Sequence, residues 1–273
     1  MNLEKTDKQK WIGPTARSLR LVYGQKSPLT LFREKALEVR QTTGVKGPPF
    51  DPFEYAKRLG IRVEEHEGMA LDGLLTCDER GEFVVQLKKE VFSLRKNFTL
   101  AHEIAHTFFY GLLAHPNSFR GNVSSDPEEE RLCDAAAAEL LMPFSVFRED
   151  LLESGPVTPN TLFGLVNRYQ VSLQAITVRA AAVHANLACA FWAREGPAVN
   201  LLSISPLKLR QWKLCQTNSS SVELALARPG KTFTKSDSFY GAKEQGRIRR
   251  KVSSYGFRPR KAISVIQIDD EEQ

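Results

Sequence analysis

Phe98-Thr-Leu-Ala-His-Glu-Ile-Ala-His106 is the stretch that decides how this chain is interpreted. It lies in an apolar segment, about residues 94–113, that is predicted to be helical. Because residues four apart share one face of a helix, His102 and His106 can bind one metal ion at about 2.0–2.1 Å. Glu103, beside them, can take the proton of a water that the ion activates. The spacing predicts a metal site with Glu103 as general base; the alternative is a pair of core histidines hydrogen-bonded to carbonyls.

A second predicted helix, about residues 126–142, supplies candidates for the third ligand. Its buried face should contain apolar residues at helical spacing, namely Cys133, Ala137, Leu140 and Leu141. At 100° per residue, Glu130 falls on that side of the helix, so we predict it as the third ligand. Asp134, one turn further, is predicted to accept a hydrogen bond from a ligating histidine. Glu128 and Glu129 are expected to complement the helix dipole.

The ligand set of two histidines and one glutamate favours a single Zn²⁺ ion, although Mn²⁺ and Fe²⁺ also accept it. A catalytic zinc site keeps its fourth position open for water. Tyr110, His115 and His184 are candidates for stabilising an oxyanion, but for each of them an ordinary structural role is favoured.

Outside the two site helices, the apolar pattern predicts further elements. Residues 61–65 are expected to form a strand, and residues 71–77 and 83–87 a β-hairpin. We predict residues 83–87 as the free edge that accepts an extended peptide. Helices are expected near residues 144–153 and 159–182, and later strands at 188–192, 198–204, 222–227 and 263–268.

The first stretch, followed by Glu130-Arg-Leu-Cys-Asp-Ala-Ala-Ala-Ala-Glu-Leu-Leu-Met-Pro143, resembles the ImmA/IrrE family of metallo-endopeptidases. The resemblance covers about residues 30–185 and implies the same three ligands and the same base. The family often has Ala-Asn where this chain has Cys133-Asp134. The resemblance further implies that this protein, like members of the family, cleaves a cognate helix-turn-helix repressor. Cleavage would relieve repression of stress-response or mobile-element genes.

The resemblance and the pattern together predict an α+β chain in four parts. Residues 1–29 are expected to be a poorly ordered arm. Residues 30–143 would form a small zincin-like peptidase domain of helices and a short mixed sheet. Residues 144–185 would form a helical, helix-turn-helix-like segment, and residues 186–273 an α/β or β-rich module with a basic loop.

Positive charge is concentrated late in the chain. The net charge is +6, yet residues 231–261 hold ten basic and two acidic residues, a local +8. The run Arg247, Arg249, Arg250 and Lys251 is a candidate nucleic-acid contact, and a solvated loop is the alternative. The helix-turn-helix-like segment offers only Arg179 as a cation after residue 172, so packing is favoured over base recognition.

The four cysteines show no C-x-x-C pair, no secretory signal is apparent, and the longest apolar run is too short to span a bilayer. We therefore expect a cytoplasmic protein that makes no contact with a membrane. Two alternatives to the endopeptidase stay open. One is a DNA-binding regulator with a structural metal, and the other is a protein that binds a partner without cleaving it.

Overall fold

The computed structural model describes residues 11–24, 26–113, 126–206, 213–214, 220–240 and 247–268. The fold is α+β, as predicted, with two separate sheets. Its elements in chain order are α1 (Pro14–Tyr23), α2 (Pro28–Thr43), α3 (Pro52–Arg58), β1 (Arg62–His66), β2 (Gly73–Cys77), β3 (Phe83–Lys88), α4 (Ser93–His106), α5 (Phe108–Leu112), α6 (Pro127–Leu141), α7 (Phe144–Glu153), α8 (Pro159–Tyr169), α9 (Leu173–Val183), β4 (Leu187–Glu195), β5 (Ala198–Ser205), β6 (Lys213–Leu214), α10 (Ser221–Ala227), β7 (Thr232–Tyr240), β8 (Arg247–Arg258) and β9 (Lys261–Gln267).

The chain forms two compact units. Unit 1 contains the residues up to Pro143 together with Tyr169–Ser172. Unit 2 contains Phe144–Arg168 and the residues from Leu173 onward. The helical segment 144–185 and the module 186–273, predicted as separate parts, therefore fall largely within one unit.

The small sheet of unit 1 has the order β1-β3-β2, in which β3 pairs in parallel with β1 and antiparallel with β2. The prediction that residues 83–87 form the free edge is wrong, because these residues form the middle strand. Its burial agrees with that position, since Val84, Val85 and Leu87 are all buried. Among the described residues β2 pairs with β3 alone, so the edge beside the helices is β2.

Helices α4 and α6 pack tightly against each other because small side chains fill their interface. On α4, Ala101 and Ala105 are fully buried, and on α6 Ala136 and Ala137 are fully buried as well. The Asp126 side chain begins α6 by accepting a hydrogen bond from the Glu128 backbone N–H. The apolar segment predicted as one helix over 94–113 is divided at Thr107 into α4 and α5.

The start of the described chain is ordered, which corrects the prediction of a poorly ordered arm over residues 1–29 for its described part. Helix α1 buries Leu19 completely, and Trp11 is 4 % exposed. The backbone N–H groups of Ile12 and Gly13 donate to the Glu128 carboxylate at 3.0 and 2.8 Å. These contacts join residues more than a hundred positions apart, so a local sequence pattern does not predict them.

Glu129 anchors the same segment, because its carboxylate accepts a hydrogen bond from the Thr15 hydroxyl. Both glutamates lie in the first turn of α6, where an anion is favoured by the helix dipole, as predicted. In addition, they are buried acceptors that hold residues 12–15 against this helix.

Unit 2 is built on a six-stranded antiparallel sheet of order β5-β4-β9-β8-β7-β6. Helix α10 packs against β7, β8 and β9, and its Val222, Ala225 and Leu226 join the core of one sheet face. The predicted strand over 222–227 is therefore wrong, since these residues are helical. The predicted basic loop is also wrong, because residues 247–251 lie on β8.

Helices α8 and α9 form the pair predicted to resemble a helix-turn-helix. The guanidinium of Arg179 on α9 lies over the Phe144 ring at 5.6 Å, and the residue is 5 % exposed. Ile176 is fully buried. The single cation of α9 therefore packs within unit 2, in agreement with the favoured packing role.

Candidate metal centre

The predicted ligands meet between α4 and α6. His102 and His106 lie one turn apart on α4, and their Nε2 atoms are 3.2 Å from each other. Glu130, in the first turn of α6, places Oε2 at 3.1 Å from the His102 Nε2 and Oε1 at 3.6 Å from the His106 Nε2. The structure thus brings together three side chains from two helices, of which His102 and Glu130 are 28 residues apart in the chain.

The spacing of these donor atoms fits a tetrahedral cation. With metal–ligand bonds of about 2.0–2.1 Å, two ligands of a tetrahedron lie roughly 3.3 Å apart. The three measured separations are 3.1, 3.2 and 3.6 Å, which bracket this value. Two imidazole nitrogens and a carboxylate oxygen are also donor types that Zn²⁺ accepts. The residues therefore suit a zinc-sized ion without rearrangement.

Asp134, the predicted hydrogen-bond partner of a ligating histidine, places Oδ1 at 2.9 Å from the His102 Nδ1. Burial alone would lower the pKa of His102, but hydrogen bonds to Asp134 and Glu130 outweigh burial and raise this pKa to about 10. The hydrogen bond from His102 in turn holds the pKa of Glu130 below its usual value. The two carboxylates therefore keep a positive charge on this imidazole unless a cation takes the place of its Nε2 proton.

His106 behaves in the opposite way. Burial and the nearby charge of His102 lower its pKa to about 4, and the residue is 8 % exposed. A neutral imidazole is the form that binds a metal ion. One histidine of the pair is thus already in its ligand form, while the other is held in place by two acids.

Glu103 lies on the side of α4 that faces β2, where it is 8 % exposed. Burial raises the pKa of its carboxyl to about 7, and the Leu75 backbone N–H acts in the opposite direction. A Cβ built on Gly73 would lie 3.0 Å from the Glu103 Oε1 and 2.5 Å from the Thr99 Cγ2. The backbone of β2 approaches α4 this closely because Gly73 has no side chain, a requirement that the sequence analysis missed.

Cys133 is a second residue that sequence reasoning did not place at the site. Its Sγ and a ring nitrogen of both histidines all lie within 4.8 Å of one another. The thiol is fully buried, and this burial raises its pKa well above the usual value. The available signal was its position three residues after Glu130, which puts both residues on one face of α6.

The remaining oxyanion candidates are Tyr110, His184 and His115. Tyr110 packs edge-on against Phe83 and lies 3.9 Å from the Cys77 sulfur, and burial raises its pKa. His184 follows α9 in unit 2, and His115 lies outside the described residues.

The predicted nucleic-acid contact lies on β8, where its side chains alternate between two faces. Arg249 and Lys251 are exposed, and they stand opposite Ser238 and Ser236 of β7. Arg250 points to the other face, opposite the buried Asp237. The side chain of Arg247 is outside the described part. Of the four predicted cations, Arg249 and Lys251 are therefore the two that the described part of β8 exposes on one face.

Comparisons with known proteins give a family and a fold. A family model described as the IrrE N-terminal-like domain (Peptidase_M78) matches residues 56–181. No curated protein sequence matches this chain. A solved structure titled Mycobacterium tuberculosis transcriptional regulator is similar over 94 % of this chain and 81 % of that one, with 10 % identity and a TM-score of 0.54.

The family match spans both site helices, all three strands of the small sheet and most of helices α7 to α9. At 10 % identity, the likeness to the solved structure concerns the fold alone. Among the described residues, no helix has the length and apolar character needed to cross a bilayer. The match over residues 56–181 supports the resemblance of this part of the chain to the ImmA/IrrE family of metallopeptidase-like domains.

Proposed function

We propose that this protein is a zinc-dependent endopeptidase in which His102, His106 and Glu130 bind the ion and Glu103 is the general base. One observation carries the proposal. Three donor atoms of the types that zinc prefers lie at tetrahedral spacing, with a buried carboxylate on the residue that follows the first histidine. A structural site has no use for such a carboxylate, whereas hydrolysis requires one.

A bound divalent cation would supply Lewis-acid activation of water and of the peptide carbonyl. The chain's own residues supply the rest. Glu103 takes the proton of the attacking water on its carboxylate and delivers it to the leaving amine. Asp134 accepts the hydrogen bond from the His102 Nδ1 and thereby fixes the ring with its Nε2 toward Glu130.

The substrate is proposed to bind as an extended strand along β2. Because β2 is an edge strand in the described part of the small sheet, its outward backbone groups can pair with a peptide, apart from the Leu75 N–H, which hydrogen-bonds to the Glu103 carboxylate. The same strand touches Glu103 through Gly73, so a peptide paired with β2 lies beside the general base. Following the family resemblance, we propose a helix-turn-helix repressor as the protein that is cleaved.

The test is cleavage of the repressor encoded beside this chain, measured by gel and mass spectrometry with zinc, with manganese and with a chelator. Wild type is expected to cut at one site with metal. Glu103→Ala should bind the same amount of zinc and cut at least about 1,000-fold more slowly, since general-base catalysis and a displaced water are both lost. Equal and negligible cutting by wild type and variant with every metal would refute the proposal.

A second candidate is a regulatory protein whose metal is structural. It is favoured by Cys133, because a thiolate added to the three proposed ligands would close the coordination sphere. In that case zinc stabilises the fold in thermal unfolding, and no repressor is cut under any condition.

A further inference from the structure

We propose that Cys133 is a fourth protein ligand of the metal, so that the resting site is closed by His102, His106, Glu130 and the Cys133 thiolate. The inference rests on the metal site of the proposed function, in which hydrolysis then requires a water to replace the thiolate or to join it as a fifth ligand. Nothing in the H-E-x-x-H pattern or in the glutamate helix requires a cysteine at this position.

The position of Cys133 on α6 supports the proposal. Cys133 follows Glu130 by three residues, and side chains three apart on a helix lie on the same face. The helix is held against α4 by fully buried alanines, so its face toward the histidines is fixed. The Cys133 thiol therefore lies on the side of α6 that faces the two histidines.

Distance is the second argument. The Cys133 sulfur and a ring nitrogen of each histidine lie within 4.8 Å of one another. Two ligands of one tetrahedral zinc, with bonds of about 2.3 Å to sulfur and about 2.0–2.1 Å to nitrogen, lie roughly 3.6 Å apart. The remaining difference is at most about 1.2 Å, a shift of the size that a change in the cysteine side-chain angle produces.

The test uses the full-length chain stripped of zinc and titrated with Co²⁺, whose visible bands report tetrahedral geometry and whose near-ultraviolet charge-transfer band reports thiolate ligation. Wild type should show both features at one Co²⁺ per chain. Cys133→Ala should lose the charge-transfer band and keep visible bands, because the other three ligands remain. Its zinc dissociation constant should rise at least roughly 10-fold in competition with a chelator.

Cys189→Ala is the matched control, because Cys189 is a buried thiol on β4 of unit 2 and should leave both features unchanged. Cys133→Ser is the second variant should the alanine form fold poorly, since it keeps the volume and removes the sulfur. Circular dichroism establishes that each variant is folded. A charge-transfer band that is absent in wild type, or that persists in a folded Cys133 variant, overturns the inference.

The two proposals fail separately. Glu103→Ala should keep the charge-transfer band while it loses cleavage. A wild-type band without any repressor cleavage supports the cysteine ligand and contradicts the peptidase. Repressor cleavage by a wild-type protein without the charge-transfer band supports the peptidase and contradicts the cysteine ligand.

Discussion

Gly73→Ala tests whether the close approach of β2 to α4 positions the general base. The new methyl group would lie 2.5 Å from the Thr99 Cγ2 and 3.0 Å from the Glu103 Oε1, where ordinary contacts begin at 3.4 Å. The strand and helix must therefore separate by about 1 Å, which should lower the free energy of unfolding by about 1–3 kcal/mol. Since a misplacement of about 1 Å costs roughly 100-fold in rate, cleavage should fall at least about 10-fold.

The assays are urea unfolding followed by circular dichroism, zinc content, and repressor cleavage. Thr99→Ser removes the clashing methyl group and keeps the hydroxyl that donates to the Arg95 carbonyl. The double variant Gly73→Ala/Thr99→Ser should therefore regain most of the lost stability, while Glu103 remains crowded and cleavage stays low.

Gly164→Ala on α8 is the matched control, because a Cβ there meets nothing within 4 Å and alanine favours a helix. It should raise stability by about 0.5–1 kcal/mol and leave cleavage unchanged. If Gly73→Ala matches wild type in both stability and cleavage, the argument that this strand fixes the base is refuted.

Three more predictions follow from single contacts. Asp134→Ala should raise the zinc dissociation constant roughly 10–100-fold in a chelator competition, and a change below about threefold would contradict its role. Glu128→Ala should lower the free energy of unfolding by about 2–4 kcal/mol, because the backbone N–H groups of residues 12 and 13 lose a charged acceptor. The control Glu149→Ala, at an exposed position, should change the free energy of unfolding by less than about 0.5 kcal/mol. Iodoacetamide at pH 8 should label the exposed Cys77 and spare Cys189, whose burial raises its pKa to about 12 and leaves roughly 1 in 10,000 molecules as thiolate. Mass spectrometry of the folded protein that finds equal labelling of these two thiols would show the last prediction to be wrong.

The site helices could be predicted because their signals are local. The spacing of His102 and His106 fixes a shared face on any helix, and the helical angle of Glu130 relative to a buried stripe was enough to select it. The proposed roles of these residues stay predictions until a metal is bound and a substrate is cut. What the pattern left out was Cys133, since a buried thiol looks the same whether it lies near a metal or in an apolar core.

The errors in unit 2 have a physical reason. Val222-Glu-Leu-Ala-Leu-Ala227 is a short and mostly apolar run that suits a strand, yet Ser220 accepts a hydrogen bond from the Glu223 N–H and begins a helix. The spacing of a serine and a glutamate three residues later is a capping signal that was available. The strand β8 was not predicted, because a run of cations that includes Arg249 and Lys251 is also typical of a solvated loop.

Contacts between segments that are distant in the chain could not be predicted from the sequence, for a different reason. The parallel pairing of β1 with β3 and the hydrogen bonds from residues 12 and 13 to Glu128 depend on where distant segments meet. The hairpin of β2 and β3 was predicted correctly, but a hairpin alone does not say which of its strands gains another neighbour.

The position of β9 has a consequence for biosynthesis. This strand, Lys261–Gln267, lies between β4 and β8 and pairs Gln267 with Leu187, the first residue of the sheet. The sheet therefore cannot close on the ribosome until residue 267 has emerged, whereas all helices and strands of unit 1 up to α6 are available by residue 141. A premature stop after residue 260 would remove an interior strand and expose two new edges, so we expect such a product to be degraded or to aggregate although unit 1 has been synthesised in full.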